Sequence, residues 1–289
     1  MKFINISDIH IRFDTPICRT DNFLESFLDK LLFIKELQEK HNCPVLCNGD
    51  LFNNWKNDNE VLSEFMPYLP KKLYTVAGQH DLRYHRIEDI RKSSIWTLRE
   101  AGLLDILNFN CIGFSHGVHV YGKSWNEPCR NIISKDMINI LVTHEFTYLE
   151  NNEPFPDCGS NTAQKLLRDT NFDYILTGDN HQQFVYEKDG RFVVNPGSLM
   201  RTSIDQKEHT PACFLIDTEK NTVEKILIPI KKNVISDEHR DNEIDVYIEK
   251  TQDTEYSEID FETELDRVLN QKNVKKEVKT EIYKSMETK

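Results

Sequence analysis

Residues 75–81 read Thr75-Val76-Ala77-Gly78-Gln79-His80-Asp81. An apolar run stops at a glycine, and three side chains able to hold a proton or a metal follow at once. The same punctuation recurs along the chain. The run at 2–6 gives way to Ser7-Asp8-Ile9-His10, and the run at 44–47 to Asn48-Gly49-Asp50. The run at 138–142 ends in Thr143-His144, and that at 172–177 in Gly178-Asp179-Asn180-His181. Singly, an Asp after a strand is a turn former or helix cap, and a lone His there is a hydrogen-bonded structural residue. Asp8-x-His10 is more pointed, because period two puts both side chains on one face. In open α/β sheets, ligand sites gather beyond the carboxyl ends of the strands. Five such ends together supply four His, three Asp and one amide, the make-up of a two-metal site that clamps a phosphate.

The segments between these ends set the fold class. Residues 21–40 place Phe23, Phe27, Leu31, Ile34 and Leu37 at helical spacing. A second helix is expected over 57–69, entered at Asn57 or Asp58, and a third over 93–102, closed by Gly102. The pattern then changes. Residues 110–125 alternate around Gly117 as a hairpin, 138–146 and 172–181 read as strands, and 160–170 as a helix. Further hairpins are expected at Asp189-Gly190 and across 212–230. A βαβα half followed by a hairpin-rich half implies an α/β fold with packed sheets and outer helices.

Residues 1–232 form the expected main domain, and 233–289 a distinct acidic segment. That segment carries one expected strand (244–250), a polar linker (251–259) and two short helices within 260–287. Their stripes are Phe261, Leu265, Val268 and Leu269, then Val274, Val278, Ile282 and Met286. Such helices either fold back or dock a partner.

With 38% hydrophobic and 10% aromatic residues, the 289-residue chain can bury a core. No apolar run approaches the roughly 20 residues that span a bilayer, and "MKFINISDIH" has no secretory apolar region. Seven cysteines, an odd number without a C-x-x-C pair, read as reduced thiols. A cytoplasmic protein without membrane association is expected. Net charge is −12, and residues 233–289 hold 16 acidic against 9 basic side chains. That balance argues against a protein that simply coats nucleic acid, since phosphate affinity rests on Lys and Arg. It leaves room for an enzyme whose bound cations meet the phosphate.

The ordered set Asp8-x-His10, Gly49-Asp50, Gly78-Gln79-His80-Asp81, His144 and Gly178-Asp179-x-His181 resembles the signature of the calcineurin-like metallophosphoesterases, over residues 1 to about 230. The resemblance implies a four-layer α-β-β-α sandwich, with the C-terminal helices as a short appendage. It implies a first metal held by Asp8, His10, Asp50 and His181. Asp50 would bridge to a second metal completed by Gln79, His144 and Asp179. His80, oriented by Asp81, would face the phosphate and its leaving oxygen, while a hydroxide between the metals attacks phosphorus. Two positions depart from the family pattern. Gln79 stands where Asn is usual, and Asp179 where His is usual. Gln79 offers the same amide oxygen on a longer arm, whereas Asp179 exchanges a nitrogen for an anionic oxygen, and the harder ligand set favours Mn²⁺, or Mg²⁺, over Zn²⁺.

Within the family, "ISDIHI" (6–11), "NGDLFN" (48–53), "VAGQHD" (76–81) and "VNPGSLMR" (194–201) are most similar to SbcD-like DNA-repair nucleases of bacteria and phages. That branch often has His where Asn53 stands. The likeness implies DNA as substrate and an SbcC-like coiled-coil ATPase docked on the C-terminal helices, with a homodimer also compatible. Arg83, Tyr84, His85 and Arg86 are candidates to meet nucleic acid, and Arg201 to reach phosphate. His116 and His119 are expected to pack or face solvent. A phosphoesterase of another substrate class and a non-catalytic scaffold of the same fold remain the alternatives.

Overall fold

A computed structural model describes residues 1–130, 133–153 and 161–236. The strand, linker and helices expected over 244–287 lie outside the described residues. In chain order the elements are β1 (Lys2–Ile6), α1 (Phe23–His41), β2 (Val45–Cys47), α2 (Asn59–Phe65), β3 (Leu73–Thr75), α3 (Ser94–Glu100), β4 (Leu104–Ile106), β5 (Ile112–Phe114) and β6 (Val118–Lys123). There follow β7 (Ile138–Thr143), α4 (Ala163–Asp169), β8 (Tyr174–Thr177), β9 (Phe184–Lys188), β10 (Arg191–Asn195), β11 (Ala212–Asp217) and β12 (Thr222–Leu227).

Two six-stranded sheets result, ordered β12-β11-β1-β2-β3-β4 and β5-β6-β7-β8-β10-β9. Strand alternation sorts side chains between three cores. Phe3, Leu46, Phe214 and Ile216 of the first sheet meet Val120, Ile140, Val142, Leu176 and Val194 of the second. Their neighbours Ile4, Ile6, Val45, Cys47, Cys213 and Leu215 point the other way, into the apolar faces of α1, α2 and α3. On the outer face of the second sheet, Leu141, Ile175 and Val193 pack with Ala163 and Leu167 of α4. The layers are therefore helix, sheet, sheet and helix.

Helix α1 forms for legible reasons. The Asn22 side chain caps it by accepting from the Glu25 amide at 3.2 Å, worth about 1 kcal/mol. Lys40 and His41 complement the dipole in the last turn, and Asn42 ends it in the left-handed region at φ 46°. Phe23, Phe27, Leu31 and Ile34 are almost wholly buried, each contributing roughly 1.5–3 kcal/mol relative to exposure.

Some boundaries moved. The helix expected over 57–69 stops at Phe65, and Met66–Tyr68 continue as a tighter 3₁₀ turn carrying Pro67, whose missing N–H cannot extend an α-helix. Three-residue β4 gave too short a pattern to register. The hairpin after β9 turns where expected, with Asp189 and Gly190 both at positive φ.

The pairing sets up the site. β1, β2, β3 and β4 run parallel, as do β6, β7 and β8. Parallel strands end on the same edge, so the loops after β1, β2 and β3 emerge together, and those after β7 and β8 likewise. Asn48 ties the two edges: its side chain donates to the Thr177 carbonyl at 2.8 Å and accepts from Asn5 at 2.7 Å.

Candidate metal centre

The loops after β1, β2, β3, β7 and β8 bring Asp8, His10, Asp50, Gln79, His80, His144, Asp179 and His181 to one place. Their backbone is held in an uncommon state. Asp8, His10, Asp50 and Asp179 have φ between 49° and 68°, a region that costs a non-glycine residue roughly 1–3 kcal/mol where it is strained. Hydrogen bonds between the loops hold it there: Asp8 N to Gly49 O at 3.2 Å and His10 N to Asp50 O at 3.0 Å. The Asp179 amide donates to both Asp8 carboxylate oxygens at 3.2 Å, and Ser7 Oγ donates to Asp8 Oδ2.

Asp50 Oδ2 stands between two sets of donors. His10 Nε2 lies 3.4 Å from His181 Nε2, 3.9 Å from Asp8 Oδ1 and 3.8 Å from Asp50 Oδ2. His181 Nε2 is 3.8 Å from Asp8 Oδ1. Ligands of one ion bound at about 2.0–2.2 Å stand about 3–4 Å apart, so this quartet has the spacing of a cation site. On the other side of Asp50 Oδ2, His144 Nε2 stands at 3.4 Å, with Asp179 Oδ1 at 4.0 Å from the same nitrogen. The Gln79 amide nitrogen donates to Asp179 Oδ1 at 2.6 Å. Among the described residues, the groupings of His and Asp close enough to hold an ion are Asp8–His10–His181, Asp8–Asp50–His144 and His10–Asp50–His80.

Asp50 Oδ2, Gln79 Oε1 and His144 Nε2 are buried without a well-aligned hydrogen bond, Asp50 Oδ2 and His144 Nε2 facing each other at 3.4 Å. An unsatisfied buried polar atom costs about 1–3 kcal/mol, and a divalent cation among these groups would relieve that cost. The residues present therefore fit two divalent cations. Asp8, His10, Asp50 and His181 could hold one; Asp50 and His144 could begin the other, with Gln79 and Asp179 beside them as its expected completing donors.

Tautomers follow from neighbouring carbonyls. His144 Nδ1 sits 2.6 Å from the Asn48 carbonyl. A carbonyl can only accept, so the proton is on Nδ1 and Nε2 faces the site. Burial pushes His10 down to about 3, with the neighbouring His181 and His80 adding to the effect against Asp50, so its ring is neutral. Burial also disfavours charge on His144, yet Asp50, Asp8 and Asp179 overcome it and raise that ring to about 10. Burial works against the Asp50 carboxylate, but His144 and His10 hold it at about 2. Without metal, His144 and Asp50 are thus an ion pair up to pH about 10. A cation must displace that proton. Metal uptake at pH 8 is expected to release about one proton per chain, and apparent affinity should rise with pH up to about 10. Calorimetry in buffers of different ionisation enthalpy reads this directly, and uptake without proton release would contradict the pairing.

His80 is exposed beside His10, with ring centroids 4.9 Å apart. Its Nδ1 lies 3.0 Å from the Asn53 carbonyl, which commits Nδ1–H and leaves Nε2 to give or take a proton. Asp81 does not orient that ring as expected. Its carboxylate is buried and accepts from the amides of Gly78 at 3.0 Å, Leu51 at 3.2 Å and Phe52 at 3.0 Å. It pins the β2 and β3 loops to each other, and only through them the His80 backbone. Asp81→Ala would orphan three amides at about 1–3 kcal/mol each. A fall in Tm of roughly 10 °C or more is expected by thermal melt, where a surface carboxylate would give almost none.

Arg201 also differs from expectation. It is 5% exposed and donates to the carbonyls of Lys207 and Lys231 at 2.9 and 2.7 Å. Its guanidinium fastens loops rather than reaching a phosphate. His119 packs against Ser134 at 2.6 Å and His116 is exposed. The carbonyls of Asn48 and Asn53, which orient the His144 and His80 rings, carried no signal in the sequence.

A family model of calcineurin-like phosphoesterases matches residues 1–183, and the chain belongs to that family of metal-dependent hydrolases. The search of curated proteins found no match. Among solved structures, a putative 5′-nucleotidase from Staphylococcus aureus is 16% identical with a TM-score of 0.53, covering 86% of this chain and 58% of that one. An archaeal phosphodiesterase is 16% identical with a TM-score of 0.44, covering 79% and 100%. A Vps29 variant from Entamoeba histolytica is 15% identical with a TM-score of 0.36, covering 79% and 100%. At 16% identity and a TM-score of 0.53, the likeness to the nucleotidase is one of fold alone. No described helix is long and apolar enough to cross a membrane.

Proposed function

We propose that the protein is a two-metal phosphodiesterase that cleaves DNA, an SbcD-like nuclease subunit working with an SbcC-like ATPase. The carrying observation is the assembly of donors on both sides of one buried Asp50 oxygen. The nuclease reading rests on the stretches 6–11, 48–53, 76–81 and 194–201, and the ATPase on the apolar stripes of 260–287.

Bound there, two divalent cations supply Lewis acidity toward a phosphoryl oxygen and a water. Carboxylate and amide oxygens in the second subsite favour Mn²⁺, with Mg²⁺ as the alternative. The chain's own residues do the rest. Asp8 and Asp50 fix the charge of the floor, and Asn48 aims the His144 nitrogen. His80 Nε2, free at the rim, stabilises or protonates the leaving oxygen.

The test is hydrolysis of single- and double-stranded DNA beside bis(p-nitrophenyl) phosphate. All are expected to be cleaved with Mn²⁺, to stop in EDTA and to resume on Mn²⁺ readdition. Cleavage of the small ester with no attack on DNA, even with an ATPase partner supplied, would sink the nuclease reading and leave a phosphodiesterase of another substrate class.

A further inference from the structure

The chain leaving the catalytic turn folds back twice. Leu82 N donates to Gln79 O at 3.3 Å and His85 N to Leu82 O at 3.1 Å, while His85 Nδ1 lies 3.0 Å from the Gln79 carbonyl. Two successive turns bring the chain back onto Gln79, with Arg83 and Tyr84 inside them and directly following the His80 loop. Tyr84 is the most exposed of the described large hydrophobic side chains, at 70%. Its backbone is left-handed, at φ 53°. Neither feature serves the fold: exposure of an aromatic ring gains no burial, and the conformation is unfavourable for a bulky residue.

The ring is not isolated. The Arg83 guanidinium lies 4.8 Å from the Tyr84 ring centroid and 5.5 Å from that of Trp55, and its Nη2 donates to Tyr84 Oη at 3.3 Å. Trp55 comes from the loop after β2, two residues beyond the Asn53 carbonyl that holds His80. The loops after β2 and β3 thus jointly build a tier of indole, guanidinium and phenol, half-buried at Trp55 and open at Tyr84. Flat π surfaces and a cation stack on flat ligands. Beside a site for a phosphoryl group, the flat ligand is one joined to the phosphate through a short linker, and a nucleobase on its sugar meets that description.

We infer that Tyr84, backed by Arg83 and Trp55, is a stacking platform for a nucleobase next to the scissile phosphate. This rests on the phosphodiesterase reading and deepens it, selecting strands whose bases are unstacked over paired duplex. It also suits the charge of the chain. At −12 overall, long-range attraction for a polyanion is poor, and stacking grips every base through its π face without relying on charge.

The test separates stacking from cleavage by using binding. The chain with His80→Asn and Mn²⁺ is titrated against a fluorescein-labelled oligothymidylate and against the same strand with single abasic positions, read by anisotropy. Adding Tyr84→Ala is expected to weaken the intact strand about tenfold, and Tyr84→Phe to restore it to within about twofold. One abasic position should weaken the Tyr84 protein as much as Tyr84→Ala does, and have no further effect on the Tyr84→Ala protein. Equal loss for intact and fully abasic strands would mean a backbone contact and overturn the inference. So would unchanged binding by Tyr84→Ala, or no strand binding by the parent. Base-dependent binding without DNA cleavage by the unsubstituted protein would instead count against the nuclease reading alone.

Discussion

His80→Asn lowers turnover of a phosphodiester by about 10²–10⁴-fold, the range for loss of a positioned general acid, while two metal ions per chain stay bound. The reasoning separates this ring from the ligands beside it. Its Nδ1 is engaged by the Asn53 carbonyl, its outer face is exposed, and both subsites can be completed without it. Asn keeps a polar group of similar reach but cannot donate a proton from a cationic form. Metal analysis by mass spectrometry beside steady-state kinetics checks both halves. Loss of metal in the variant would assign His80 to the ligand set, which the His10–Asp50–His80 grouping makes the specific competing outcome. A leaving group that needs no proton, such as a nitrophenolate, should suffer less than an alkoxide.

The second large effect comes from a single methyl group. A Cβ built at Gly78 would lie 2.6 Å from both the Asp50 carboxyl carbon and the Asp50 main-chain nitrogen, closer than any real contact. Asp50 cannot simply turn away, because its Oδ1 accepts from the His80 amide at 2.9 Å and its Oδ2 faces both His10 and His144. Gly78→Ala therefore has to move the carboxylate that we propose the two subsites share. Overpacking of this kind costs roughly 1–3 kcal/mol, and displacement of a catalytic group by about 1 Å can cost 10²-fold. We expect fewer than two metals per chain, a lower Tm and activity reduced at least about a hundredfold. Gly49→Ala, whose Cβ would stand 2.5 Å from the His144 ring, should impair the second subsite more than the first. Full metal occupancy and normal rates in Gly78→Ala would show that Asp50 is not the shared ligand.

Much of the centre was legible because chemistry and position coincide in the sequence. Apolar runs ending in Asp, His or an amide announce strand ends, and α/β topology brings such ends together. Asp8, His10, Asp50, Gln79, His144, Asp179 and His181 could be named on that basis, and they stand together. Helix α1 was legible from its spacing. Asp81 and Arg201 were misread for one reason. A charged side chain in a motif looks destined for the ligand, yet each is spent on backbone groups of other loops. Main-chain amides and carbonyls exist at every position, so the sequence does not mark which of them needs a partner.

The sequence by itself determined which donor atoms are available, which strands deliver them and which family they belong to. Tertiary structure decided the rest. It set the left-handed backbone at Asp8, His10, Asp50 and Asp179, the tautomers chosen by the Asn48 and Asn53 carbonyls, and the glycine contacts that let Asp50 and His144 close on one point. Each is a contact between loops remote in the chain, made from backbone groups or from the absence of a side chain. Such contacts take their energy from distance and direction, and distance and direction exist only once both sheets have packed.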